Sequence, residues 1–344
     1  MYTSLSIKNF RAFETLEIEG LKRVNLFTGR NNSGKTSVLE AVYLLEGKFP
    51  ASRARQLFRN RGLADAGMVH KTALDMPWAT LFRNLAVEVD IELAGGPTMM
   101  TLSTNSNPRT SELLNAARDF SPNPYIRNLL LSSKDGQRGD MVFIQDGKVE
   151  HFGGDDTFLN LTSFLLAGVK RSQQVLAVQF GELAVEKKDA LLLEALQLIE
   201  PRLRGLSTIL SGGALLVHAD LDGTDRRLPL AVVGDGMVRL LDIIIAIYQN
   251  QNRAVMIDEI ENGFHYSALP KVWELIHKLA NQYNVQVFAV THSHECAVAA
   301  HEAAKAEDYD YQYFRIEQKN GVGHAFPFDQ EVMQTAIDVQ MEFR

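Results

Sequence analysis

Cysteine is almost missing from this chain: Cys296 is its one cysteine in 344 residues. No disulfide can form within it, so its stability must come from packing, and a cytosolic, reducing setting is the natural reading. Long apolar runs are missing too. The most apolar stretch, Leu240–Tyr248, is interrupted by Asp242 and falls far short of the ~20 residues that a membrane span needs. Met1–Phe13 carries no apolar signal-peptide core. These absences together predict a cytoplasmic protein with no membrane partner. An excess of positive charge is also lacking, with 35 Lys and Arg against 42 Asp and Glu and a net charge of -7. The chain as a whole is therefore not a cationic nucleic-acid binder. The charge is uneven, however. Lys48, Arg53, Arg55, Arg59 and Arg61 cluster, and Glu302–Asp310 is acidic. Each cluster reads first as a solvated face; the sharper alternative makes the basic one a nucleic-acid or partner contact. Repeats and low-complexity tracts are absent. What remains is an ordinary globular composition, 46% hydrophobic and 22% charged, on a chain long enough to bury a substantial core.

Periodicity supplies the elements. Leu5–Ile7, Thr15–Ile18 and the apolar run Val24–Thr28 read as strands. A helix follows from Lys35 to Glu46, with Val38, Leu39, Val42 and Leu45 at helical spacing. Asn84–Leu93 alternates and pairs with Pro97–Ser103 as a hairpin. Ser103–Asp140, rich in Ser, Asn, Pro and Gly, reads as loops around short helices. Met141–His151 reads as a second hairpin turning at Asp146-Gly147, Thr157–Gly168 as a helix, and Glu186–Ile199 as an amphipathic helix. Three short strands are expected at Leu206–Leu210, Ala214–His218 and Leu228–Val232. Then come a helix from Met237 to Tyr248, a buried strand Ala254–Ile257, a helix Ser267–Tyr283 and a buried strand Val285–Val290. Tyr311–Ile316 and Gly323–Phe326 read as strands and Gln330–Met341 as a helix. Buried strands alternating with helices define an α/β fold with a mostly parallel core.

Four segments carry chemistry. Gly29-Arg30-Asn31-Asn32-Ser33-Gly34-Lys35-Thr36 has the Gly-x-x-x-x-Gly-Lys-Thr spacing of a phosphate loop, between a strand and a helix. Its glycines let backbone N–H groups wrap phosphates, and the helix N-terminus adds its positive end. Lys35 supplies charge to the β- and γ-phosphates, and the Thr36 hydroxyl suits Mg²⁺. Ser37, next in the chain, is counted with Asn31, Asn32 and Ser33 among the nucleotide-binding residues. The buried strand Ala254–Ile257 ends in Asp258-Glu259: Asp258 fits a Mg²⁺ ligand acting mainly through water, and Glu259 a general base for an attacking water. Thr291-His292 ends the next apolar strand, where His292 could sense a γ-phosphate. His292, His294, Glu295 and His301 are close in sequence, but none makes a His-Glu-x-x-His metal motif. Gly234-Asp235-Gly236 opens a helix and offers a second anion site.

In this order and spacing the chain resembles the ABC-type ATPase heads, in their cytosolic branch of RecF, SMC and the stand-alone OLD-like ATPases. Ile7-Lys8-Asn9-Phe10-Arg11-Ala12-Phe13 is similar to that branch's opening, and Leu26–Ala41 to its phosphate loop. Asp258–His265 is similar to its Asp-Glu-Ile-Glu-Asn-Gly segment, and Gly234–Leu241 to its degenerate signature. The resemblance implies a P-loop NTPase with a mixed sheet flanked by helices, an antiparallel β subdomain and a helical/β insertion. It implies a single ATPase domain over 1–344, with its core in 1–95 and 205–344 and an insertion at 96–204. It implies ATP and Mg²⁺ as ligands, and a homodimer or higher even oligomer that sandwiches ATP between one copy's glycine loop and the partner's Gly234–Gly236. Arg11 would sit near the nucleotide, and Glu261–His265 would couple the two sites.

Three departures qualify the match. The usual signature serine is absent, with Gly234 near its place, so hydrolysis is expected to be slow. No Q-loop glutamine stands out. No long heptad region or Toprim-like acidic cluster is present, which sets aside an SMC-like arm and the nuclease half of full OLD proteins. The expected role is an ATP-driven switch that regulates or recruits a protein effector. The alternatives are a DNA-engaged repair ATPase using Arg53–Arg61, and a nucleotide-gated binding module that barely turns over.

Overall fold

The structure is a computed structural model and describes residues 1–61, 77–104, 126–145, 148–152, 163–169 and 171–339. In chain order its strands and helices begin with β1 (Ser4–Phe10), β2 (Phe13–Glu19), β3 (Val24–Thr28), α1 (Lys35–Glu46) and α2 (Pro50–Asn60). β4 (Ile91–Gly95), β5 (Thr98–Thr104), β6 (Ile126–Lys134), β7 (Gln137–Gln145), β8 (Lys148–Phe152) and β9 (Phe164–Leu165) follow. Next are α3 (Gln173–Val185), α4 (Asp189–Gln197), β10 (Leu203–Ser211), β11 (Ala214–Leu221), β12 (Leu228–Pro229), α5 (Leu230–Val233) and α6 (Asp235–Gln249). The order ends with β13 (Ala254–Ile257), α7 (Leu269–Gln282), β14 (Gln286–Val290), α8 (His294–Ala306), β15 (Tyr311–Lys319), β16 (Val322–Phe328) and α9 (Gln330–Asp338). This is the α/β class that the sequence predicts, with parallel and antiparallel pairing both present.

The chain divides into two compact units. The first comprises Met1–Lys22, Phe27–Leu161 and Phe314–Pro327. Its antiparallel ladder starts at the β1–β2 hairpin, paired from Ser4↔Glu19 to Phe10↔Phe13. Leu5 and Ile7, and likewise Leu16 and Ile18, are buried at the strand period of two; Phe10 and Phe13 are buried too, each three residues from its neighbour, and Asn9 between Ile7 and Phe10 is left-handed at φ 50°. β4, β5, β6, β7 and β8 extend the ladder in sequence order, with β4 joining β1. Helix α1 lies against β1, β4 and β5, and α2 against β5, β6 and β7. Polar side chains finish both helix ends. Lys134 Nζ donates to the carbonyls of Leu45 and Gly47 at 2.6 and 2.9 Å, meeting the orphan acceptors and negative end of α1. The Asp140 carboxylate accepts from the backbone N–H groups of Ala51 and Ser52 at 3.0 and 2.7 Å, which serves the N-terminus of α2.

The second unit comprises Arg23–Leu26, Thr162–Tyr313 and Phe328–Arg344. Its centre is a parallel set in which β13 lies between β9 and β14, in register Met256↔Phe164 and Met256↔Phe288. β13 and β14 are buried on both faces, the usual state of strands flanked by helices. Helices α6, α7 and α8 supply much of the apolar core, including Leu240, Ile243, Ile247, Trp273, Ile276 and Ala300. β10, β11 and β12 form a separate antiparallel sheet.

Several expectations fail for identifiable reasons. The alternation over Asn84–Leu93 does not make a strand before Ile91: Asn84 and Leu85 are left-handed, at φ 52° and 61°, and Val87 is buried while Val89 is half exposed. Ser103–Asp140 is not loop and short helix where it is described, because 126–140 pairs as β6 and β7 along β5; 105–125 lie outside the described residues. Phe164–Leu165 is a strand beside Met256-Ile257 rather than the end of a helix, and 157–162 lie outside the described residues, as does the Asp146-Gly147 turn. The strand expected at Leu228–Val232 stops at Pro229, which lacks an N–H, and the chain winds into α5. Helices α2, α3 and α8 were not anticipated. The basic cluster is not simply a solvated face. Arg53 is 3% exposed, its guanidinium lies 4.6 Å over the Tyr43 ring, and it donates to the Tyr43 carbonyl at 2.8 Å.

Candidate nucleotide site

β3 is buried throughout, and its last residues, Phe27 and Thr28, deliver the chain to Gly29 in the first unit. Gly29 and Gly34 have φ 140° and 96°, and Asn32 has φ 63°. A β-carbon at Gly29 would stand 2.2 Å from the Ile316 carbonyl oxygen; at Gly34 it would stand 2.2 Å from the Phe13 ring. Both positions therefore need glycine for space as well as for dihedral freedom. The Lys35 ammonium is buried and donates to the carbonyls of Gly29 and Arg30 at 2.8 Å each, so it closes over the loop that it serves. The Ser33 N–H donates to the Arg30 carbonyl at 3.2 Å. Its Oγ is buried without a hydrogen-bond partner, an unmet polar atom inside the loop. Ser37 is buried, Thr36 is half-buried, and Asn31 and Asn32 are exposed. Arg30–Ser33 and Arg315–Gln318 line a cavity of about 460 Å³, where Arg315 pairs with Glu317 at 2.6 Å.

Arg11 is in this unit, at the β1–β2 turn with φ 53°. Its Nε and Nη2 donate to Glu40 on α1 at 2.8 and 3.3 Å, and its Nη1 to the Thr80 carbonyl at 3.0 Å. Arg61 reaches the same carboxylate at 2.6 Å. Burial pulls the Arg11 pKa down, and Glu40 works against that shift.

In the second unit, Asp258 follows β13 and is buried at 6% exposure. Its N–H donates to the Leu165 carbonyl at 2.8 Å. Its own carbonyl accepts from Arg239 Nη2 at 2.7 Å. Glu259 is left-handed, at φ 43°, a conformation that costs a non-glycine residue ~1–3 kcal/mol and clusters at functional positions. A hydrogen bond from a charged donor contributes ~1.5–3 kcal/mol, so the Arg239 bond is of the size needed to hold it. Asn262 Nδ2 donates to Glu259 Oε2 at 2.6 Å. Glu261 Oε1 accepts the His292 N–H at 2.9 Å, which ties the post-β13 loop to the Thr291-His292 segment. Thr291 is fully buried, and the His292 residue is exposed.

Gly234, Asp235 and Gly236 form the start of α6. A β-carbon at Gly236 would stand 2.5 Å from the Gly263 carbonyl, so the bare backbone at Gly236 lets that helix start rest on the loop after Glu259. The fold thus brings Gly236, Asp258, Glu261 and His292 into one neighbourhood. Arg239, Asp242 and Arg171 join it: Arg171 pairs with Asp242 at 3.0 Å, and burial lowers the pKa of both arginines and raises that of Asp242. Sequence reasoning missed Arg239, Asp242 and Arg171 as members of this site. The signal is a charge pair three residues apart, Arg239 and Asp242, set among the apolar residues of α6.

A solved SMC head bound to the C-winged helix domain of ScpA shares this fold, at TM-score 0.51 and 13% identity, over 97% of this chain and 99% of that one. The ATP/GTP phosphatase of Helicobacter pylori is 24% identical over 91% of this chain and 90% of its own length. The DNA replication and repair protein RecF of Nitrosococcus oceani is 54% identical over 43 residues, 12% of each chain. Fold and motifs together define an ABC-type ATPase head of the RecF/SMC branch, an enzyme that binds and hydrolyses ATP. More particularly, the chain belongs to the family described as "AAA domain, putative AbiEii toxin, Type IV TA system", whose model matches residues 105–296, more than half of the chain. The model described as "AAA ATPase domain" matches residues 1–95.

Proposed function

We propose that this ATPase is a Mg²⁺-dependent switch in which ATP closes two copies head to head, or into a higher even oligomer, and hydrolysis releases them. The observation that carries the reading is the phosphate loop: two sterically obligate glycines, a buried lysine folded onto the loop carbonyls, and the unpartnered Ser33 Oγ. In this reading 1–95 and 205–344 are the core of a single ATPase domain, with 96–204 as an insertion. The backbone of Gly29–Gly34, with Asn31, Asn32 and Ser33, wraps the phosphates; Lys35 neutralises the β- and γ-oxygens; Ser37 joins them in binding the nucleotide.

Thr36 offers a hydroxyl and Asp258 a carboxylate, each a hard oxygen ligand of the kind that Mg²⁺ takes. An ion held by them would offset negative charge on the phosphates. Glu259 takes a proton from the attacking water, and His292 meets the γ-phosphate. Gly234, Asp235 and Gly236 of a second copy complete the site, Arg11 lies near the nucleotide, and Glu261–His265 couples the two sites. ATP shifts the population because it binds the closed form more tightly than the open one.

A protein effector is the partner that this switch would control. The analogy is with the SMC head of the similar structure, which is bound to a domain of ScpA. The test is oligomer mass with and without ATP and Mg²⁺, in wild type and Glu259→Gln. A doubled mass that persists with ATP in Glu259→Gln supports the reading; a monomer in every condition overturns it.

A further inference from the structure

We infer that Arg239 is a positioning residue for hydrolysis: it clamps the Asp258–Glu259 peptide and links that peptide to the Gly234–Gly236 end of α6. The inference rests on the proposed role of Glu259 as base. The Asp258 carbonyl and the Glu259 N–H belong to one rigid peptide plane. Rotating that plane changes φ of Glu259 directly. The Arg239 bond at 2.7 Å therefore holds a plane whose relaxed orientation would take Glu259 away from φ 43°, and its carboxylate with it.

The clamp has a counter-charge, since Asp242 attracts Arg239 electrostatically. Arg239 and Asp242 lie three apart on α6, and Asp242 is anchored by Arg171 at 3.0 Å. Arg239 Nε is buried without a hydrogen-bond partner, so the guanidinium is not placed to satisfy itself best. The same helix makes a second contact with this segment, Gly236 against the Gly263 carbonyl. Positions 236 and 239 are separated by a rise of about 4.5 Å along a stiff helix. Whatever engages Gly234–Gly236 and shifts α6 must therefore move both ends of the Asp258–Gly263 segment together.

Arg239→Gln tests this in the full chain. It leaves Arg171 and Asp242 as a matched pair, so the core keeps its charge balance. Two quantities are measured: the affinity for a fluorescent ATP analogue in EDTA, and steady-state kcat with Mg²⁺. The expected result is a kcat at least 10-fold lower with EDTA affinity within twofold of wild type, and partial recovery of kcat in Arg239→Lys, which keeps a charged donor. Wild-type kcat in Arg239→Gln, or a fall in kcat matched by the same fall in EDTA affinity, overturns it. If Arg239→Gln does not fold, Arg239→Lys decides: reduced kcat at unchanged affinity supports the clamp, and wild-type kcat overturns it. Glu259→Gln in the same assay separates the two ideas. If Glu259→Gln turns over like wild type, the base assignment fails; if it is inactive while Arg239→Gln is unimpaired, only the clamp fails.

Discussion

Arg11 and Glu40 form a two-pronged ion pair, with Nε and Nη2 donating to the two carboxylate oxygens at 2.8 and 3.3 Å. Glu40 is five residues beyond Lys35 on α1, so the pair pins the helix of the phosphate loop to the β1–β2 turn. The side chains are 9% and 1% exposed, which makes the pair costly to break from one side. Glu40→Ala leaves a buried guanidinium without its carboxylate and is expected to lose ~3–5 kcal/mol. Arg61→Ala, whose side chain is 42% exposed, is expected to lose less than ~1 kcal/mol. Urea unfolding of both variants checks the contrast, and equal losses would refute it.

The loop glycines give a second contrast. Gly20 has φ 75° with nothing within 4 Å of an added β-carbon, whereas Gly29 would face the Ile316 carbonyl at 2.2 Å. Gly20→Ala should cost about 1 kcal/mol from backbone strain alone and leave ATP affinity intact. Gly29→Ala should lower ATP affinity at least ~10-fold, because a backbone oxygen cannot swing aside as a flexible side chain can. Titration with a fluorescent ATP analogue measures both.

His277 predicts an acid limb in stability. It is 1% exposed and stacked on Tyr309 at 5.2 Å. Burial lowers its pKa from 6.5 to about 4, and the Ala300 backbone offsets only part of that. The unfolded chain therefore binds the proton first as pH falls. Stability is full above pH 6.5 and is lost as pH drops toward 4, with roughly 2 kcal/mol gone from this residue at pH 5. His277→Phe should flatten that slope. Unfolding free energies at pH 7.5 and 5 decide it: a slope as steep as wild type would assign the acid limb to other groups.

Arg53 was a candidate for nucleic-acid contact, but it is buried over Tyr43. Arg53→Ala should lower stability by ~1.5–3 kcal/mol, from the charged hydrogen bond, and leave any DNA affinity and its salt slope unchanged. A reduced salt slope at constant stability would restore the contact reading.

The elements around the phosphate loop were legible in the sequence because local signals agree there. α1 begins at Lys35 and ends at Glu46 as its apolar spacing predicts, and Ala254–Ile257 is the strand that its length and apolar content imply. Where local and tertiary preferences part, the sequence misleads. The Ser- and Gly-containing 126–140 looks like loop and becomes strand, because β5 offers it a pairing edge. α3 is apolar on more than one side, with Val175 and Val178 exposed opposite Leu176 and Phe180, so no clean helical stripe announces it. α8 carries a readable signal in its N-cap serine: the Ser293 Oγ accepts from the Cys296 N–H at 3.0 Å. The phosphate-loop spacing is legible in the sequence, whereas Arg239 bonds a backbone carbonyl 19 residues away, a relationship that no local pattern encodes.

The central claim, that Glu259 turns a phosphate-binding loop into a hydrolysis site, is tested most directly by phosphate release from ATP with Mg²⁺ in wild type, Glu259→Gln and Lys35→Ala. The account predicts slow but measurable release in wild type. Glu259→Gln should release at least ~100-fold less while still binding ATP, and Lys35→Ala should neither bind nor hydrolyse. Release by Glu259→Gln at the wild-type rate would contradict it.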